Sequence, residues 1–425
     1  MTENQDDSTE ETALTRTSQS SLRRLDTNLE ATERALALDE DRYVRFFQKH
    51  DELFKSLLSR WHPLDPNLLE RYEDFWDWDR LSKNEALPWT PELIDSFIDR
   101  WEWKGDGNDG LSSNESLPWS VELIERYRNG GVLSNYRWDW GVSVRDRSGL
   151  SQNEGLPWSE EFIEKYKDEI EWEQLSSNRA LPWSEELLDR YSDRWDWGQL
   201  GHGLSYNEGL PWSEDLLEKY YSKWEWGGWN GGLSSNKGLP WSKELLEKYS
   251  HQWNWKTLGG NTGIPWSVEL IDEYKNFWEW QSHGLSLSGN TALPWSSKLI
   301  ERYSNRWLWG GSGLSRNPGL PWTEDLIEDY LSRWDWGKRG LSSNKGLPWS
   351  RALIKQYINR WEWSEPKVPS QGLSSNDGLP WHLDLIEEYR NQLDFGQLAN
   401  NQGVYEKAFS DRVTPRLIHR VLGSD

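Results

Sequence analysis

The sequence predicts a mainly α repeat solenoid, with one short helix per unit of roughly 25–30 residues and extended Leu-Pro-Trp and Trp-x-Trp segments between helices. Three observations carry this reading. The dipeptide Pro-Trp occurs eleven times, with Pro at 88, 118, 157, 182, 211, 240, 265, 294, 321, 348 and 380. Every copy has an Asn four residues before the Pro and a Ser, Thr or His directly after the Trp. Of the 34 Trp in 425 residues, only Trp61 and Trp229 fall outside the repeated phrase. Self-similarity at this period overrides the two or three globular domains that length alone would suggest.

Written out, the unit is L-S-x-N-x-x-L-P-W-S-x-E-L-I-x-x-Y-x-x-x-W-x-W. The Asn series begins at Asn84 and Asn114, and the Leu-Pro-Trp rings are Trp89, Trp119, Trp158, Trp183, Trp212, Trp241, Trp266, Trp295, Trp322, Trp349 and Trp381. Pro pushes the preceding Leu into extended backbone and sets an abrupt entry to the helix. Ser120 and its equivalents are placed to cap the helix, and Thr90-Pro91, Asp65-Pro66 and Thr414-Pro415 add Pro at the first helical position. Glu122-type residues favour the first turn through the helix dipole. Leu123, Ile124 and Tyr127 form one apolar stripe on a helix expected to run about twelve residues. The Asn reads as a turn residue, left-handed or bonded to nearby backbone, that could stack from unit to unit as a ladder.

Two Trp separated by one residue share a face only in extended backbone, so Trp-x-Trp reads as a helix exit followed by a short extended piece. Burial of a large apolar side chain is worth roughly 1.5–3 kcal/mol, and so many exposed indoles would form sticky patches. Most motif Trp are therefore expected in the core. Trp229, in the loop GGWNGG, is the better candidate for an exposed contact, together with Tyr206 and Tyr136.

Length varies mainly between the last Trp of one unit and the next Asn: 6 residues after Trp78, Trp172 and Trp255, but 13 after Trp140 and Trp363. The expected picture is a rigid unit with a variable Gly/Ser-rich linker. The expected divisions are a polar, disordered tail (1–25), a helical cap (26–63), about twelve repeats (64–397) and a C-terminal capping repeat (398–425). Capped ends favour an open arc over a closed ring.

Formal net charge is −23, which disfavours nucleic acid and anionic membrane surfaces as main partners. No apolar run is long enough to span a bilayer, and the opening MTENQDDSTEETALTRTSQSS has no basic-then-apolar leader pattern. The absence of Cys rules out disulfides and Cys-based zinc sites and fits a reducing, cytoplasmic setting. The middle of Trp-x-Trp is acidic at Asp77, Glu102, Asp139, Asp196, Glu225, Glu279, Asp335 and Glu362, a stripe that could bind a basic peptide or cations. The commoner alternative is a solvated surface of inter-unit ion pairs worth ~0–1 kcal/mol each. Seven scattered His and recurring, non-unique carboxylates give no catalytic or metal constellation. No enzyme activity, cofactor or metal is expected.

The unit resembles Trp-rich LSxNxxLPWSxELIxxYxxxWDW repeats of large bacterial proteins and, more distantly, the N-P-x-x-x-W…WDW repeats of giant DNA viruses. The resemblance spans about residues 64–397. It implies a repeat protein and transfers no functional residue. The functional expectation is a non-enzymatic scaffold that binds a protein partner through its surface and linkers. A carbohydrate-binding module with exposed aromatics, or a self-assembling structural element, are the alternatives.

Overall fold

The structure is a computed structural model and describes residues 38–104, 110–128, 138–141, 149–198, 201–228, 231–281, 286–364 and 371–423. It is mainly helical, and no strand occurs among the described residues. The helices Asp51–Trp61 and, before it, 38–49 precede the array. The repeat helices then follow one per unit: Pro66–Arg71, Pro91–Ser96, Val121–Arg128, Glu160–Tyr166, Glu185–Arg190, Glu214–Lys219, Lys243–Lys248, Val268–Glu273, Ser297–Arg302, Glu324–Asp329, Arg351–Gln356, Leu383–Glu388 and Pro415–Leu422.

Each helix starts where the sequence places it. The Ser242 hydroxyl accepts the Leu245 amide at 3.1 Å, Thr90 accepts Leu93 at 3.1 Å, and His382 uses Nδ1 for Leu385 at 3.3 Å. A free first-turn donor is satisfied in each case. The helices are shorter than expected: most run six residues and stop at the Tyr. Tyr249 sits at φ −111°, ψ 25°, and tight turns follow, with Gln252 and Trp253 both donating to its carbonyl. The chain thus leaves the helix at the Tyr, and the turn rather than a further helical turn carries it to the Trp four residues on.

The Asn forms a ladder, but not in a left-handed conformation. Asn236 lies at φ −74°, ψ 120° and is 1% exposed. Its Nδ2 donates back one unit to the carbonyls of Ser205 (3.1 Å) and Asn207 (3.2 Å), and its Oδ1 accepts the Gly238 amide at 2.8 Å. Its own carbonyl accepts the Trp241 indole at 2.8 Å and the next rung, Asn261, at 3.1 Å. The same pattern repeats from Asn153 to Asn376, and Asn114 keeps the Ser82 carbonyl and the Trp119 indole. Close approach between rungs explains the Gly two residues after many Asn: a Cβ on Gly155 would lie 2.4 Å from the Glu115 carbonyl oxygen.

The serine two residues before the Asn is a second connector. Ser234 donates to the carbonyl of Trp226 in the previous unit at 2.6 Å and accepts the amide of Asn254 in its own at 2.9 Å.

The tryptophans divide by role. The first ring of Trp-x-Trp is buried and meets the Leu-Pro-Trp ring of its own unit, as Trp253 does Trp241 at 5.0 Å. The second ring crosses to the next unit: Trp226 packs on Tyr249 (4.8 Å) and Trp253 (5.2 Å). The motif Trp in the described residues are buried or packed against the core. Trp-x-Trp is extended, as expected, with Asp77 at φ −88°, ψ 99°.

The ends of the array meet, so the open arc expected from the sequence is not what forms. The Tyr72 hydroxyl contacts His419 Nδ1 at 2.7 Å. Within the array, Tyr127 contacts Asp95 of the preceding helix in the same way at 2.5 Å. His419 and Asp95 hold the same position after their capping Thr414 and Thr90. The last helix thus stands before the first as any helix stands before its successor. The helices before the array seal the junction: Phe47 packs on Phe409 at 4.8 Å, and Arg42 pairs with Asp384 and Glu387, each at 2.5 Å. Both degenerate ends have apolar faces that a water-facing cap would lack, and burying them against each other is favourable.

Candidate functional site

The linkers between units are the variable part of a constant frame, and one hydrogen bond makes that possible. The amide of the Leu in L-S-x-N donates to the carbonyl of the middle residue of Trp-x-Trp whatever the linker length. Leu150 reaches Asp139 at 2.6 Å, Leu233 reaches Glu225 at 2.8 Å, Leu341 reaches Asp335 at 2.8 Å and Leu373 reaches Glu362 at 2.9 Å. Where the linker is shortest the same pair becomes an ordinary helical bond, Leu81 to Asp77 and Leu258 to Asn254, both 2.9 Å. Linkers of any length therefore leave and re-enter the frame at one gate per unit.

The acidic residues at the middle of Trp-x-Trp sit at these gates. Asp77 accepts the Arg80 amide at 3.1 Å and pairs with its guanidinium at 3.2 Å. Asp139, Asp196 and Asp335 accept the amides of Gly141, Gly198 and Gly337, each at 2.9 Å. Glu102 and Glu279 accept Lys104 (3.2 Å) and Gln281 (3.0 Å), and Glu225 accepts Gly228 at 2.6 Å. All these are half-buried, while Glu362 is exposed. These seven carboxylates hold the first turn of their linkers, a role that sequence reasoning did not assign. Asp196 also meets His202 Nδ1 at 2.6 Å, and both side chains are largely buried.

The basic residues before the first Trp have a separate task. Arg194, Lys223, Arg306, Arg333 and Arg360 lie 4.7–5.4 Å from the ring centroids of Trp172, Trp197, Trp280, Trp309 and Trp336 in the preceding unit. These cations cover the outer faces of indoles that are half-buried or, for Trp280, buried. Phe277 replaces the cation over Trp255, 5.2 Å away, and is 61% exposed.

Between neighbouring helices, Tyr hydroxyls and basic side chains share carboxylates. Tyr249 and Lys248 meet Glu218 at 2.6 and 3.0 Å. Glu125, held by Lys165, Tyr166 and Arg128, has its carboxyl pulled down to about 2. Burial and the Glu218 carboxylate push the Tyr249 hydroxyl up.

Tyr206 is half-buried, one residue before Asn207, with its hydroxyl pushed up by burial. Trp229 and Tyr136 lie outside the described residues. A polar cavity of about 650 Å³ opens where the ends meet, lined by Arg60, Trp61, Arg80, Lys83, Lys345 and Asp377 among others. Its charges are in part matched internally: Arg80 with Asp77 and Lys345 with Asp377. No group of three His, Asp or Glu among the described residues could hold a metal ion. No helix among them is long and apolar enough to cross a membrane.

Comparison of the chain with protein-family models, with curated proteins and with solved structures finds no match.

Proposed function

We propose that the chain is a non-enzymatic repeat scaffold, closed end to end, that binds a protein partner through its inter-unit linkers. The observation that carries this reading is the common gate: the Leu amide and the Trp-x-Trp carbonyl join at 2.6–3.0 Å across linkers of different length. Specificity can then be written into the linkers while the frame stays constant. Net charge of −23 favours a basic or neutral partner.

A glycan platform of exposed indoles has less support, because motif rings are buried or lidded by Arg and Lys. The test is capture of partners from the native lysate at low and high salt. It compares the full chain with a variant whose linkers are replaced by Gly/Ser of equal length. A discrete protein that survives high salt and is lost from the variant, with unfolding unchanged, is the expected result. Equal capture by both, or only salt-sensitive basic proteins, would overturn the reading. Trp fluorescence that responds to glycans and not to the captured protein would move it to carbohydrate.

A further inference from the structure

The junction between the two ends differs from every other contact in the array. Consecutive units are tied by the chain itself, whereas the ends meet through side-chain contacts and side-chain bonds to backbone, as Gln48 makes to the Arg420 carbonyl and Arg80 to the Ala399 carbonyl. The Asn ladder is also altered there: Trp61 stands in the Asn position, and Asn84 donates instead to the carbonyls of Ser59 (3.1 Å) and His62 (2.9 Å). Trp61 stacks on Tyr405 at 6.2 Å, and the large cavity lies beside it.

Three of the seven His of the chain cross this junction. The His50 ring lies flat on Phe395, 4.3 Å between centroids at 7°. His62 is buried and bonds the Tyr405 hydroxyl through Nδ1 at 2.9 Å. His419 meets Tyr72. We propose that helices 38–49 and Asp51–Trp61 form a clasp that releases on mild acidification through protonation of His50 and His62, while the interior units stay folded.

The electrostatic surroundings support this. His62 Nδ1 meets the Tyr405 hydroxyl and its ring lies edge-on to the Tyr405 ring, while Asp411 acts on that Tyr from a distance. Burial lowers the His62 pKa from 6.5 to about 4. His50 is lowered by burial and by Lys49, against an opposing pull from Asp51. Phe46 and Phe395 are the rings packed on His50. A His whose folded pKa is depressed favours closure above its free pKa, and that preference is lost as pH falls from about 6.5 toward 4. With a His62 pKa of 6.5 when open and about 4 when closed, the opening equilibrium rises about 30-fold at pH 5.0 through this group alone. The clasp also carries the carboxylates Glu387, Asp39 and Glu40, paired with Arg42, Arg412 and Arg420. Asp384 and Asp41 are held below the usual carboxylate range by Arg42 and Arg420 and stay charged at pH 5.0.

The experiment is hydrogen exchange of the full chain read by mass spectrometry from pH 7.5 to 5.0, corrected for intrinsic exchange chemistry. Segments 38–64 and 399–423 are compared with the interior segment 204–258. The expected result is a junction-to-interior exchange ratio that climbs by at least tenfold, and a His50→Gln, His62→Gln variant in which it stays flat. Parallel exchange of junction and interior in the unaltered chain would overturn the proposal without any variant. A double variant that folds and keeps the climb would overturn it equally.

Discussion

Replacing Asn236 tests the ladder directly. Its side chain makes three hydrogen bonds in a site 1% exposed: Nδ2 to the carbonyls of Ser205 and Asn207, and Oδ1 from the Gly238 amide. Asn236→Ala removes all three. The Asn207 carbonyl keeps the Trp212 indole at 2.9 Å, so two backbone groups, at Ser205 and Gly238, lose their side-chain partner. At about 1–3 kcal/mol for each buried group left unsatisfied, the loss is about 2–6 kcal/mol. Asn236→Asp is the sharper probe. It preserves shape and the Gly238 acceptor but turns a carboxylate oxygen toward two carbonyls. It should therefore cost more than Ala at pH 7 and recover part of the loss at pH 4, where a protonated carboxyl can donate. Urea unfolding followed by Trp fluorescence reads both. An Asp variant at pH 7 as stable as the Ala variant would refute the donor role of Nδ2, and with it the ladder.

Other consequences follow from the same geometry. Trp241→Ala removes a ring 9% exposed that packs on Trp253 and bonds the Asn236 carbonyl, so unfolding should shift by about 3–5 kcal/mol; a neutral effect would mean the ring is not core. Arg333→Ala uncovers Trp309 and loses the Ser304 carbonyl at 2.9 Å, for about 0.5–1 kcal/mol, and Arg333→Lys should recover most of the ring contribution; equal losses would show that the guanidinium bond, not the charge over the ring, matters. Doubling the linker Gly310–Gly313 with Gly/Ser should cost only ~0.6 kcal/mol, because Leu314 still closes on the Leu308 carbonyl at 2.8 Å; a large loss of stability would show that linker length is part of the frame.

The sequence by itself determined the unit and its local geometry. Period, capping Ser or Thr, Pro-enforced entry and the extended Trp-x-Trp are all local consequences of residue type, and they stand in the structure as read. A twelve-residue helix was the wrong length, because the spacing of four between Tyr249 and Trp253 fits a continuing helix as well as the turns that close on the Tyr249 carbonyl. The acidic stripe was visible, but its attachment to linker amides was not: a carboxylate that binds backbone two residues on reads the same as one that faces solvent. Likewise the serine of L-S-x-N showed no pattern beyond recurrence, since its partners lie in the neighbouring unit and 20 residues on. Closure belonged to tertiary structure alone. It depends on the small rotation from each unit to the next, summed over the whole array, and no single repeat encodes that sum. Only the assembled chain brings Tyr72 to His419 and lays His50 on Phe395.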